Sequence, residues 1–130
     1  KLLIAKPVTG LSTKKVYESL DIEGLNRTGF RHKDVQEMVS IIESDENDKN
    51  KIRNIAKLLD NILEIPSKRL LPLVSDIKKT MMENNCLGCL MSGSGTAIFG
   101  IFDSDEDMLR TKKILEEDDR INYIQITNTL

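Results

Sequence analysis

The stretch LMSGSGTAIFGIF, residues 90–102, sets two Ser-Gly steps between apolar runs. Such a segment allows two kinds of behaviour. Gly93 and Gly95 can leave backbone N–H groups uncovered, forming a nest for an anion such as a phosphate, with Ser92, Ser94 and Thr96 adding hydroxyls. The same glycines also make a plain turn, because hairpin bends need φ > 0 and glycine reaches it without steric cost. Spacing excludes three familiar motifs. No Lys follows the glycines as a P-loop requires. The segment runs into a β-branched, aromatic strand pattern, whereas a dinucleotide fingerprint opens a helix. Ser92, preceded by Met91, does not sit in the G-x-S-x-G of a nucleophile elbow. A hairpin with glycines at both bends remains, and the segment alone leaves turn and anion nest open.

The other residues with reactive potential are Cys86 and Cys89, in CLGC. A zinc site needs about four ligands, and the chain offers one histidine, His32, and no second cysteine pair. A redox pair usually opens a helix, where the dipole lowers a thiol pKa; this pair follows a helix and enters a strand. It reads as two small apolar residues with reduced thiols. The acidic run ESDENDKN (43–50) lacks the glycine and ligand spacing of a calcium loop and reads as a solvated linker.

These segments need elements to position them. KLLIAKP is a short apolar run ended by Pro7, a strand. VTGLSTKKVYESL supplies a turn, an N-cap at Ser12 or Thr13 and a short helix. Residues 23–32 show no periodicity and read as a loop. Val35, Met38, Val39 and Ile42 recur as one helix face. Ile52, Ile55, Leu59, Ile62 and Leu63 mark a second helix, which Pro66 and Ser67 break. Leu70, Leu73, Val74, Ile77 and Met81 carry a third, in which Pro72 is tolerable only at the first turn. LGCLM and TAIFGIF suit buried strands. Ser104 opens a helix with Asp107 in the manner of a capping box, with Met108 and Leu115 on one face, and INYIQIT (121–127) is a last strand with Ile124 and Ile126 on one face. The order predicts an α+β, ferredoxin-like β-α-β-β-α-β arrangement: a four-stranded antiparallel sheet, helices on one face, and extra helices in the first crossover.

With 130 residues the chain suits one domain, expected over 1–130. Nineteen basic residues against 21 acidic give a formal charge of −2, without the clustered Lys and Arg of a nucleic-acid footprint. No apolar run approaches the ~20 residues of a membrane span, and the opening LLIA is too short for a signal peptide. Neither a nucleic-acid nor a membrane partner is expected. The chain begins at Lys1, already inside a strand pattern, which reads as a piece of a longer protein.

Three segments in order, KPVTGLSTKKVYESL (6–20), NILE (61–64) and MSGSGTAIFGIFDS (91–104), resemble the C-terminal half of the 4-diphosphocytidyl-2-C-methyl-D-erythritol kinases, within the GHMP kinase superfamily. The resemblance implies phosphorylation of the 2-hydroxyl of a cytidine-diphosphate-linked substrate in non-mevalonate isoprenoid biosynthesis, using ATP and Mg2+, in the cytoplasm. It also implies that both are bound mainly by a missing N-terminal half, which carries the phosphate-binding glycine loop and the catalytic Lys and Asp. No catalytic or metal-binding residue is then expected in this segment, and the fragment alone should not turn over. Substrate-binding roles carry over to Tyr17, matching an aromatic that stacks on cytosine; to Thr13, beside the methylerythritol end; and to Ser92, Gly93, Ser94, Gly95 and Thr96, which line the cleft. Lys14 and Lys15 either favour the diphosphate or simply solubilise the helix. CLGC departs from the Gly-Ala expected near residue 86.

Two other functions fit the strand order. One is a free-standing ferredoxin-like regulatory domain that binds a small effector and dimerises through its sheet. The other is the C-terminal half of a different GHMP kinase, of homoserine or mevalonate type, which should lack the STKKVY aromatic.

Overall fold

The computed structural model of the chain describes residues 1–21, 25 and 35–128. Four strands, β1 (Leu2–Pro7), β2 (Gly88–Met91), β3 (Ile98–Ile101) and β4 (Ile121–Thr127), form one sheet in the order β2-β3-β1-β4, every pair antiparallel. Between β1 and β2 run α1 (Thr13–Glu18), α2 (Val35–Glu43), α3 (Asp48–Lys57), α4 (Glu64–Leu70) and α5 (Leu73–Glu83); α6 (Asp105–Glu116) links β3 to β4. This is the split β-α-β-β-α-β arrangement with a swollen first crossover, as the order of elements predicts.

Register decides which strand residues meet the helices. Leu3 pairs with Gly100 and Ile126, Ala5 with Ile98 and Ile124, and Met91 with Ile98. Partners across a sheet share a face, so these residues form one surface, and the core gathers on it. From α5, Val74, Ile77 and Met81 recur at i, i+3 and i+7, all buried. Each such side chain contributes roughly 1.5–3 kcal/mol on burial. Met108 and Leu115 do the same from α6. The opposite face carries Leu2, Ile4, Leu90, Phe99 and Ile101, half-buried and outside the core cluster. Helix α3 rests directly on β2: a Cβ at Gly88 would lie 2.2 Å from the Ala56 carbonyl oxygen, so only glycine admits that contact.

Several local expectations are corrected. The second predicted helix ends at Lys57, not Leu63, and Ile62 and Leu63 lie in the turn that enters α4. Pro66 and Ser67 sit in the first half of α4 and do not break a helix. That placement costs little, because the first backbone N–H groups of a helix have no acceptor within it. Leu70 ends α4, and Pro72 stands immediately before α5, where a proline is harmless. Only residues 44–47 of the acidic run lie outside an element. Asn47 caps α3 by accepting the Asn50 N–H at 3.0 Å, and Asp48 begins the helix. Val35, Val39 and Ile42 do share a helix face, yet all three are exposed. Ser104 caps α6 by accepting the Asp107 N–H at 3.2 Å, while the Asp107 carboxylate turns to Asn85 and Arg110. The loop predicted at 23–32 lies outside the described residues except for Leu25, as does His32.

Candidate functional site

Strands β2 and β3 are joined by residues 92–97. The Ser92 N–H donates to the Ala97 carbonyl at 2.8 Å and the Gly95 N–H to the Ser92 carbonyl at 3.1 Å, closing a tight turn. Gly93 has φ +56° and Gly95 φ +96°, left-handed values that L side chains rarely adopt. The glycines thus serve the bend, and the bend in turn leaves amides over. The backbone N–H groups of Gly93, Ser94 and Thr96 have no hydrogen-bond partner among the described residues. No side chain of the turn is charged.

Helix α1 is tied to this turn. Ser12, and not Thr13, is its N-cap: the Ser12 hydroxyl accepts from the Lys15 N–H at 3.4 Å. That releases the Thr13 hydroxyl, whose Oγ1 lies 2.9 Å from Ser94 Oγ. Tyr17 follows Thr13 by four residues, hence on the same helix face, and its side chain is 58% exposed. Val16, next to it, is the buried residue of α1. Lys14 and Lys15 are exposed, and Lys14 lies 3.7 Å from Glu18. Among the predicted site residues, then, Thr13 and Ser94 touch, Tyr17 is accessible one turn along, and Ser92 and Gly93 are exposed. Thr96 differs, being 4% exposed with an Oγ1 that has no hydrogen-bond partner among the described residues.

Beneath the turn stand two residues, Asn61 and Glu64, to which sequence reasoning assigns no role. Asn61 Nδ2 donates to the carbonyls of Met91 and Gly93, both at 2.8 Å. Glu64, 6% exposed, accepts the Met91 N–H at 2.7 Å and pairs with Lys78 at 2.5 Å and Lys68 at 2.9 Å. Burial raises the Glu64 carboxyl pKa, but the hydrogen bonds from Lys78, Met91 and Lys68 together outweigh it, holding the group below its ordinary range. Both residues fall in the NILE segment, and their partners in β2 and the turn lie 27 to 32 residues away.

Other groups contribute less. Cys86 and Cys89 are buried and unbridged. The Cys86 thiol donates to the carbonyls of Gly88 at 3.1 Å and Ile101 at 3.4 Å. Its hydrogen bond with Cys89, then burial, pushes it above the ordinary thiol range, so it is a packed, protonated group. A cavity of about 490 Å³ is lined by Lys1, Lys49, Ile52, Phe102, Asp103 and Asp105, at the end of the sheet away from the turn. Among the described residues no group of three His, Cys, Asp or Glu is placed to hold a metal ion, and no helix is long and apolar enough to cross a membrane.

Comparison with known proteins matches residues 34–118 to the family described as GHMP kinases, C terminal. The chain belongs to that family. Curated relatives called 4-diphosphocytidyl-2-C-methyl-D-erythritol kinase include one from Clostridium novyi, 33% identical over 99% of this chain and 42% of the relative. Another, from Caldicellulosiruptor bescii, is 36% identical over 88% of this chain and 37% of the relative. The chain thus spans about two fifths of the length of these relatives. Among solved structures, a 4-(cytidine 5'-diphospho)-2C-methyl-D-erythritol kinase superposes with TM-score 0.64 at 22% identity, over 95% of this chain and 41% of that one. A homoserine kinase from Cytophaga hutchinsonii superposes with TM-score 0.65 at 22% identity, over 98% of this chain and 41% of that one. At that identity the two structures establish the GHMP kinase C-terminal fold and say nothing about substrate. Family membership separates the chain from free-standing regulatory domains of similar strand order.

Proposed function

We propose that residues 1–130 form the C-terminal, substrate-binding domain of an ATP-dependent kinase that phosphorylates the 2-hydroxyl of 4-diphosphocytidyl-2-C-methyl-D-erythritol, in the cytoplasm. The relatives' shared name supports the substrate, and the fraction of their length matched supports a further N-terminal domain that carries the catalytic groups. The observation that carries the reading is the 2.9 Å Thr13–Ser94 contact. It joins an exposed aromatic on α1 and a turn with unpaired amides into one surface, a combination suited to a base on one side and phosphoryl oxygens on the other.

In the transfer, the substrate hydroxyl oxygen bonds to the γ-phosphorus as the bond to the ADP oxygen breaks, and the hydroxyl proton passes to a base outside this chain. This chain binds and orients. Tyr17 stacks on the cytosine, Thr13 lies beside the methylerythritol end, and the Ser92–Thr96 turn lines the cleft with N–H and hydroxyl donors. ATP is the second substrate, bound mainly by the N-terminal domain. Mg2+ would accompany its phosphates, but the described residues do not form a ligand set for it, and no role of this chain runs through it.

In the full-length kinase, Tyr17→Ala should raise KM for the cytidine substrate about tenfold, since stacking on one base contributes ~1–3 kcal/mol. KM for ATP should stay put, and Tyr17→Phe should behave as the parent. An unchanged KM for the cytidine substrate removes the stacking role. Homoserine has no ring to stack, so a homoserine-type activity would leave Tyr17→Ala without effect on the acceptor's KM.

A further inference from the structure

Asn61 belongs to none of the groups assigned to substrate, yet its amide holds both the last carbonyl of β2, at Met91, and a carbonyl of the turn, at Gly93. Both ends of its amide are committed. Oδ1 accepts the Leu63 N–H at 3.0 Å, which leaves the NH2 group to face the Met91 and Gly93 carbonyls. A flipped amide would set oxygen against two carbonyl oxygens, so the orientation is unambiguous.

The peptide plane carries the consequence. A carbonyl and the N–H of the following residue point in opposite directions across one rigid trans peptide. Holding the Gly93 carbonyl therefore aims the Ser94 N–H away from Asn61, and holding the Met91 carbonyl aims the Ser92 N–H, which donates to Ala97. Gly93 has no Cβ to restrict it and nothing within 4 Å of where one would stand, so no side chain of its own sets this plane, and Asn61 holds its carbonyl directly. Glu64 fixes the preceding Met91 N–H from the core side, while Thr13 holds the Ser94 hydroxyl from α1. Asn61 is the one contact in this set that fixes the direction of an unpaired amide.

We propose that Asn61 is a positioning residue for phosphoryl transfer: it locks the Gly93–Ser94 peptide so that the Ser94 N–H faces a phosphoryl oxygen in the cleft. The proposal rests on the reading of the turn as substrate-facing. That oxygen belongs either to the nucleotide or to the diphosphate of the acceptor. The two supply the same chemistry and differ in which KM responds.

The test uses the full-length kinase with Asn61→Ala and Asn61→Asp. The aspartate keeps the acceptor for Leu63 but loses both donors. Leu115→Ala, a buried residue of α6, which packs beside β4 at the opposite edge of the sheet from β2, serves as a variant destabilised to a similar degree. Both Asn61 variants should lower kcat/KM about tenfold, the size expected from a misdirected hydrogen bond, with Leu115→Ala near parental kcat/KM at a temperature where all are folded. A rise confined to KM for ATP assigns the oxygen to the nucleotide, and one confined to KM for the cytidine substrate assigns it to the acceptor. If Leu115→Ala loses kcat/KM in the same proportion to its lost Tm, Asn61 is merely structural and the proposal fails. If Tyr17→Ala has its expected effect while both Asn61 variants keep parental kcat/KM, positioning is overturned and the substrate-facing reading stands. If all three behave as the parent, both are overturned.

Discussion

The two ends of the sheet are built on opposite principles. At one end Lys1, Lys49, Asp103 and Asp105 line a cavity, with Arg53 paired to one of them, and the charges satisfy one another: Lys1 meets Asp105 at 2.6 Å and Arg53 meets Asp103 at 2.7 Å. At the other end the 92–97 turn has no charged side chain, yet it leaves the amides of Gly93, Ser94 and Thr96 and a buried threonine hydroxyl without partners among the described residues. Matched charges in water are worth little and ask for nothing. Unmatched donors are costly unless something arrives to accept from them. Polar groups left over, more than volume or charge, support the proposed placement of the ligand at the turn.

The contrast can be broken most severely at Glu64. Replacing it by Gln should cost about 2–3 kcal/mol in urea unfolding, because Lys78 and Lys68 lose a buried partner that also accepts from Met91. Its lowered pKa fixes the pH dependence. A carboxyl whose folded pKa lies below its unfolded value contributes stability that is complete above the unfolded value, near 4.5, and lost as pH falls through the folded one. The parent should therefore lose more stability on acidification than Glu64→Gln, and parallel curves would show that the pair is not what anchors Met91. Gly93→Ala should cost about 1 kcal/mol by the same measurement. Since a Cβ there meets nothing within 4 Å, the whole loss comes from a left-handed backbone; no loss at all would mean that the bend relaxes freely. Smallest is Arg53→Ala at the charged end, expected below ~1 kcal/mol in stability with parental turnover in the full-length enzyme. A marked loss of turnover would place that end in the site and undo the contrast.

Much of the architecture was legible because it is written locally. The apolar run of KLLIAKP ended by Pro7, the alternation in INYIQIT, the apolar pieces flanking the glycines, and the spacing of Val74, Ile77 and Met81 each report one element, and the order of elements leaves few topologies. The errors fall where two local signals coincide. Ile62 and Leu63 continue the helical period of α3, and periodicity cannot show that the chain turns after Lys57. Ser12 and Thr13 are both good caps, and the choice between them is made by Ser94, 81 residues away. Val35, Val39 and Ile42 have the spacing of a core face without being in the core. The Ser92–Thr96 turn was legible from its residues as either a bend or an anion nest, whereas Thr13 and Tyr17 were reachable as site residues only through the resemblance to GHMP kinases. Asn61 and Glu64 were out of reach, since nothing about an Asn or a Glu at the start of a helix says that a strand end is waiting to be held.

Net charges reach across a Debye length, about 8 Å in physiological salt, whereas single amide and hydroxyl dipoles fade within a bond or two. A turn made only of the latter grips an anion that has already arrived and does nothing to draw it in. Ionic strength leaves such a grip nearly intact. Under the proposed function, long-range attraction of a polyphosphate is then a separate task from the one this turn performs, so that capture and hold can be tuned without disturbing one another.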